Sequence, residues 1–229
     1  GEYLYARTRY PLGSLMTDGR PGEAFAAELS RLKRSGSAIL VVSGRESAGV
    51  CRDLLGSDDE ARRRVLVRAD EFDELPVPGD GAVVVDATAD DARSATAYDP
   101  GPIDRCLAGG CTVDTITTSV VNEVEALATG GLEAAELRVC LGRLDPVVER
   151  TGPVAVEPCL RDVFDSVRAA RGMGHVHLSP DAAADVVDGL RPAVDVTVNV
   201  RTTPAGVRQQ RWRLHDAGID TGWLRTRGA

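Results

Sequence analysis

The chain has 229 residues, 43% of them hydrophobic, and carries a formal net charge of −8. That length and apolar content suffice for one large α/β domain whose core needs no disulfide or metal to hold it. The negative balance argues against a non-specific nucleic-acid face or an anionic-membrane surface, because both reward basic patches.

Residues 1–20 read as a tyrosine-bearing leader, and the whole of 1–229 as one domain, since no repeat or low-complexity linker divides it. "PGEAFAAELSRLKRSG" is a first helix, with Pro21 near its start, an Ala/Phe/Leu face and Gly36 at its end. "SAILVVSG" is a buried strand, "SAGVCRDLLG" opens a helix, and "RRRVLVRAD" and "GAVVVDAT" are two further strands. "CTVDTITTS" reads as a strand from its β-branched run, leading into the helix "VVNEVEALATGG". "ELRVCLGRL" is another strand, and "VEPCLRDVFDSVRAARG" a helix with Val156, Leu160, Val163, Phe164 and Val167 on one side. A short strand "GHVHLSP" and the helix "PDAAADVVDGLRPAV" follow, and "DVTVNVRTT" and "RQQRWRLHD" form an antiparallel pair at the end. Strands alternating with helices predict an α/β fold with a mostly parallel sheet and helices on both faces.

The stretch "LVVSGRESAGVC" carries the first functional signal. Gly44 and Gly49 stand at the glycine spacing of a phosphate-binding loop, G-x-x-x-x-G-K-[ST], after an apolar strand and before a helix. Val50 replaces the lysine and Cys51 the magnesium-binding hydroxyl. Glu46 adds charge of the wrong sign for a phosphate, and a thiol is a poor ligand for a hard oxygen-seeking ion. Arg45 is the residue of the loop with a charge able to fork onto a phosphate, although Glu46 stands beside it. Lys33, the chain's one lysine, precedes the strand and lies towards the opposite end of the sheet. Asp86 in "VVVDAT" has the apolar-run-then-aspartate form of a metal-binding strand end, though on an earlier strand than expected.

The order of elements from Ser37 to Arg225 resembles the RecA/KaiC-type ATPase core, in particular the KaiC- and GvpD-related proteins of salt-loving archaea. "SGRESAGVC" stands at the phosphate-loop position, "ELRVCLGRLDPVVE" at the strand that ends in a magnesium-binding aspartate, and the tail from "FDSVRAARG" to "DVTVNVR" follows the family's later elements. Gly142 aligns with that aspartate, followed by Arg143, while Asp145 comes later and caps or turns into the next segment. The resemblance implies a RecA-like sheet and a degenerate, hydrolytically inactive site at Gly44, Arg45, Gly49, Val50 and Cys51. It also implies a regulatory or protein-binding role, with an active paralogue or a second copy as partner. No cofactor is expected on this reading; ATP and Mg²⁺ enter only if the alternative holds, a nucleotide-binding switch or ATPase with atypical residues. A recombinase-like DNA accessory protein is a third reading, in which Trp212 and Trp223 with Arg211, Arg213 and Arg225 form a stacking platform. The competing role for those tryptophans is to pack the terminal hairpin on the sheet. The double change Val50→Lys, Cys51→Thr is expected to fold without restoring hydrolysis.

His175 and His177 alternate on one strand and so share a face. With no third ligand visible in sequence they read as a surface or sheet-end pair. His215 is alone. Five scattered cysteines fit reduced thiols in a cytoplasmic protein, and Cys106 with Cys111 lacks the second pair of a zinc pattern. Cys51, at a helix start, is also a candidate reactive thiol. No apolar run approaches the ~20 residues of a membrane helix.

Overall fold

The computed structural model describes residues 22–44, 47–57, 60–68, 82–86, 112–182 and 184–226. Its strands are β1 (Ser37–Val42), β2 (Arg63–Arg68), β3 (Ala82–Asp86), β4 (Leu137–Arg143), β5 (Met173–Leu178), β6 (Val196–Thr202), β7 (Arg208–Leu214), β8 (Ile219–Asp220) and β9 (Leu224–Arg225). The helices are α1 (Glu23–Ser35), α2 (Ser47–Leu55), α3 (Val113–Ala128), α4 (Asp145–Thr151), α5 (Pro153–Ala169) and α6 (Ala184–Leu190). All the strands join one sheet in the order β3-β2-β4-β5-β1-β6-β7-β8, with β9 on the same edge of β7 as β8. From β3 to β6 every pairing is parallel; β7 returns antiparallel against β6 in unbroken register from Val196/Leu214 to Thr202/Arg208. The α/β class, the mostly parallel sheet and the antiparallel C-terminal pair are as the sequence pattern predicts.

β1 is central, and all six of its residues are buried, as a strand covered on both faces requires. Ala38, Leu40 and Val42 face the cluster beneath α3 and α5, while Ile39 and Val41 face the cluster beneath α1 and α2. The RecA-like resemblance also implies a central "AILVVSG" strand adjacent to "ELRVCLG", so that β1 and β4 would pair. They do not: β5 lies between them, and β1 pairs with β5 and β6.

A second correction concerns "CTVDTITTS", where the described part is not a strand but the opening of α3. Thr112 caps the helix by accepting the Thr115 N–H, and Ile116, Val120 and Val124 form a buried line at four-residue spacing. The hydroxyls of Thr117 and Thr118 bond back to the carbonyls of Val113 and Asp114, so these threonines satisfy themselves within a helix. Burial of one stripe outweighs a β-propensity that amounts to tenths of a kcal/mol per residue.

The start of β1 is fastened to β6 by a reciprocal bond. Ala38 N–H donates to Asp195 Oδ2 at 2.7 Å, and Asp195 N–H donates to the Ala38 carbonyl at 2.9 Å. Arg168 of α5 reaches the same carboxylate through Nε at 3.2 Å. Asp195→Ala is expected to cost about 1–3 kcal/mol, because it strips the acceptor from a charged donor and a strand N–H. Urea unfolding reads the loss, and a change below about 0.5 kcal/mol would show these bonds to be replaceable by water.

No described helix is long and apolar enough to cross a membrane.

Candidate functional site

The glycine-spaced turn sits where β1 hands the chain to α2, at the C-terminal end of the parallel strands. α2 begins at Ser47 and lies on the face shared with α1. Its C-terminal end is held by Arg64 of β2, whose guanidinium donates to the carbonyls of Leu55, Gly56 and Ser57 at 3.4, 3.3 and 2.8 Å. A cation on the last carbonyls of a helix also complements its dipole. The first turns of α2 are thereby fixed over β1, β5 and β4.

Neither diagnostic side chain of the loop faces solvent. Val50 is 2% exposed and packs in the cluster of Phe25, Val41, Leu54 and Trp212. Cys51 is 4% exposed and points down to Cys140 of β4. Gly49 lies beneath Arg208: a Cβ there would meet a guanidinium nitrogen at 2.4 Å. At the mouth, Arg143 donates to the carbonyls of Gly44 at 3.0 Å and Ser43 at 3.4 Å, and lies 3.7 Å from Asp145. Asp145 turns the chain into α4 as its first residue, but it does not cap that helix: its carboxylate accepts the Ser179 N–H at 2.8 Å. Arg45 and Glu46 lie outside the described residues, as do Cys106 and Cys111.

Asp86 ends β3, the outermost described strand, with β2, β4 and β5 between it and β1. Four strand spacings put it about 19 Å from the loop strand, too far to share a metal with a nucleotide held there. Gly142, which the resemblance set at the position of a metal-binding aspartate, has φ +60° and lies within a β-bulge between Cys140 and Arg143. An aspartate would be strained in that conformation, whereas glycine adopts it freely. The bulge turns the Gly142 N–H onto Cys140 Sγ at 3.4 Å.

Beneath the loop the sheet presents a polar cluster that sequence spacing did not reveal. Cys140 is fully buried, and its register partner on β5 is His175. His175 and His177 share the face of β5 turned to α2, as their alternation implies, but they are 2% and 3% exposed. The expectation of a surface pair is therefore corrected. Cys51 Sγ lies 3.3 Å from Cys140 Sγ and 3.3 Å from His175 Nε2, and the imidazoles of His175 and His177 meet edge to face with centroids 5.1 Å apart. One ligand-type atom from each of Cys51, Cys140, His175 and His177 falls within 4.8 Å of every other. Neither ring nitrogen of His177 has a hydrogen-bond partner.

The electrostatics follow from this packing. The Cys51 sulfur contact, with the two histidines beyond it, holds the Cys140 thiol well below its usual range despite complete burial. Burial pushes His175 below the ordinary histidine value, against the pull of the neighbouring Cys140 sulfur.

Residues 36–200 match DUF7504, a family of unknown function. The chain belongs to that family. No curated protein matches it. The matched span contains the loop and all four cluster residues, whereas α1 and the β7–β9 edge lie outside it.

Of the other conspicuous residues, Trp212 is 2% exposed and belongs to the core, so the stacking platform of two tryptophans does not form. Trp223 is half-buried beneath the Arg201 guanidinium, 3.9 Å from the ring centroid. His215 bonds Thr197 on the neighbouring strand at 3.0 Å.

Proposed function

We propose that this chain is a non-hydrolytic RecA/KaiC-like domain that works as a regulatory, protein-binding module. One observation carries the reading: Val50 and Cys51, at the lysine and hydroxyl positions of the glycine-spaced loop, are both turned into the core. A phosphate loop needs those two side chains at its mouth, one to neutralise the β- and γ-phosphates and one to hold Mg²⁺. Here the first is an apolar packing element and the second faces another thiol. The aspartate that would complete the metal site has given way to the bulge glycine Gly142. A domain with this sheet and without the hydrolytic groups retains its surfaces, and recognition of another protein, a paralogue or a second copy, is the use left to them.

A second reading, a nucleotide-binding switch with atypical residues, draws on Arg143 at the Gly44 carbonyl and Arg208 over Gly49. Both guanidinium groups stand near the loop, and arginine forks onto phosphate well.

Calorimetric titration with ATP and with ADP, each with and without Mg²⁺, separates the two. The first reading expects affinity no tighter than about millimolar, some 4 kcal/mol of binding free energy, and no phosphate release. Micromolar binding, about 8 kcal/mol, would overturn it in favour of the switch.

A further inference from the structure

We propose that Cys51, Cys140, His175 and His177 form a closed structural metal site of the Cys₂His₂ type, with zinc as the ion. The inference is independent of the nucleotide question, since it holds whether or not the loop has ever met a phosphate.

The donor set is the first argument. Two thiolates and two neutral imidazoles are the ligands of structural zinc, and together they balance the charge of a divalent ion inside a core that would otherwise punish it. The spacing is the second. A tetrahedral ion with the usual bond lengths sets its ligand atoms roughly 3.4–3.8 Å apart. The Cys51–Cys140 and Cys51–His175 separations of 3.3 Å fall just short of that range, and the 4.8 Å limit on the whole set exceeds it by about 1 Å. Shifts of up to about an ångström, within reach of side-chain rotation, would complete the tetrahedron. A disulfide is a poorer account of the two sulfurs, because it would leave both buried histidines unexplained.

The orphaned histidine is the third argument. A buried polar side chain is normally hydrogen-bonded, and burial without a partner costs roughly 1–3 kcal/mol. His177 is 3% exposed with both nitrogens unpartnered, and it sits in the same cluster as the two sulfurs. A bound cation supplies the missing partner. The surroundings agree: the Gly142 amide donates to Cys140 Sγ, the kind of bond that steadies a metal-bound thiolate.

The site joins three elements: α2 through Cys51, β4 through Cys140, and β5 through both histidines. Four protein ligands leave no open position for water, so the role is structural and not hydrolytic. An ion so enclosed binds together with folding.

The test uses the full chain, refolded with zinc under reducing conditions, freed of loose metal and analysed by elemental mass spectrometry. The expected result is about one zinc per chain, as a closed four-ligand site dictates. Co²⁺ refolded in its place is expected to give the intense visible bands of tetrahedral coordination and a thiolate charge-transfer band. His177→Ala and Cys140→Ser are expected to weaken zinc binding at least about 100-fold, more than the loss of an outer partner does. Because either variant can fail to fold, the wild-type chain is also melted with and without a strong chelator, and a lower melting temperature without metal is expected. Cys106→Ser with Cys111→Ser serves as control and is expected to keep the metal. Metal-free refolded protein with native circular dichroism would overturn the site. So would a Cys51–Cys140 disulfide formed at the expense of zinc, or zinc retained by a folded His177→Ala variant.

Discussion

Val50→Lys is expected to destabilise the fold by about 3 kcal/mol or more, the scale of an unpaired charge forced into a core. Val50 is 2% exposed among Phe25, Val41, Leu54 and Trp212, none of which can pair with an ammonium. Burial instead drives a lysine at this position to lose its proton. The unfolded chain keeps that proton up to about pH 10.4. Between the lowered folded-state value and that pH the unfolded state binds more protons, so stability must rise as pH rises. A lysine that snorkels to the Gly44 mouth would behave differently, with a small loss and no recovery at high pH. That outcome would mean that position 50 still opens towards a phosphate seat, and it would favour the switch. The burial therefore revises the expectation that Val50→Lys, Cys51→Thr folds: its first change strikes the core, and its second removes a sulfur from the Cys–His cluster.

The parts of this architecture that depend on local periodicity were legible. β1, β4 and β5 are short apolar runs between turn residues, and α5 shows its buried face at Val156, Leu160, Val163, Phe164 and Val167. The opening of α3 was misread because threonine, isoleucine and valine favour strands, while the capping Thr112 and the four-residue spacing of Ile116, Val120 and Val124 act together only in three dimensions. Adjacency of strands was harder still. Nothing local says that β5 inserts between β1 and β4, and it is that insertion which brings His175 and His177 beside Cys51 and Cys140.

The candidate metal centre escaped for the same reason. Cys51 is 89 residues from Cys140 and 124 from His175, so no short ligand motif exists to be found. "GHVH" announced a shared face but not its burial, and Cys51 looked like damage to a phosphate loop when viewed against that motif alone. The thiol that stands at the hydroxyl position of that motif is also the one that supplies a sulfur to the cluster. Gly142 was equally hard to read, because only the bulge at its positive φ aims its amide at Cys140.

Trp212→Ala is expected to cost about 3–5 kcal/mol, the range for deleting a large buried aromatic. The indole meets the Phe25 ring edge to face at 6.1 Å, and its Nε1–H donates to Gln210 Oε1 at 3.2 Å. Truncation would open a cavity between α1 and the β6–β7 pair and leave the buried Gln210 side chain short of a donor. Trp223→Ala is expected to cost only about 0.5–1 kcal/mol, because its main contact is the stacked Arg201 guanidinium. The chain has two tryptophans, so each variant also isolates the fluorescence of the other. Emission left by Trp223→Ala should be blue-shifted and resistant to acrylamide, and that left by Trp212→Ala red-shifted and readily quenched. Since β7 lies beyond the span matched by the family, the pair of measurements decides whether this edge is part of the cooperative core or an appendage. Equal, small losses from the two variants would make it an appendage and would leave Trp212 free to serve a partner.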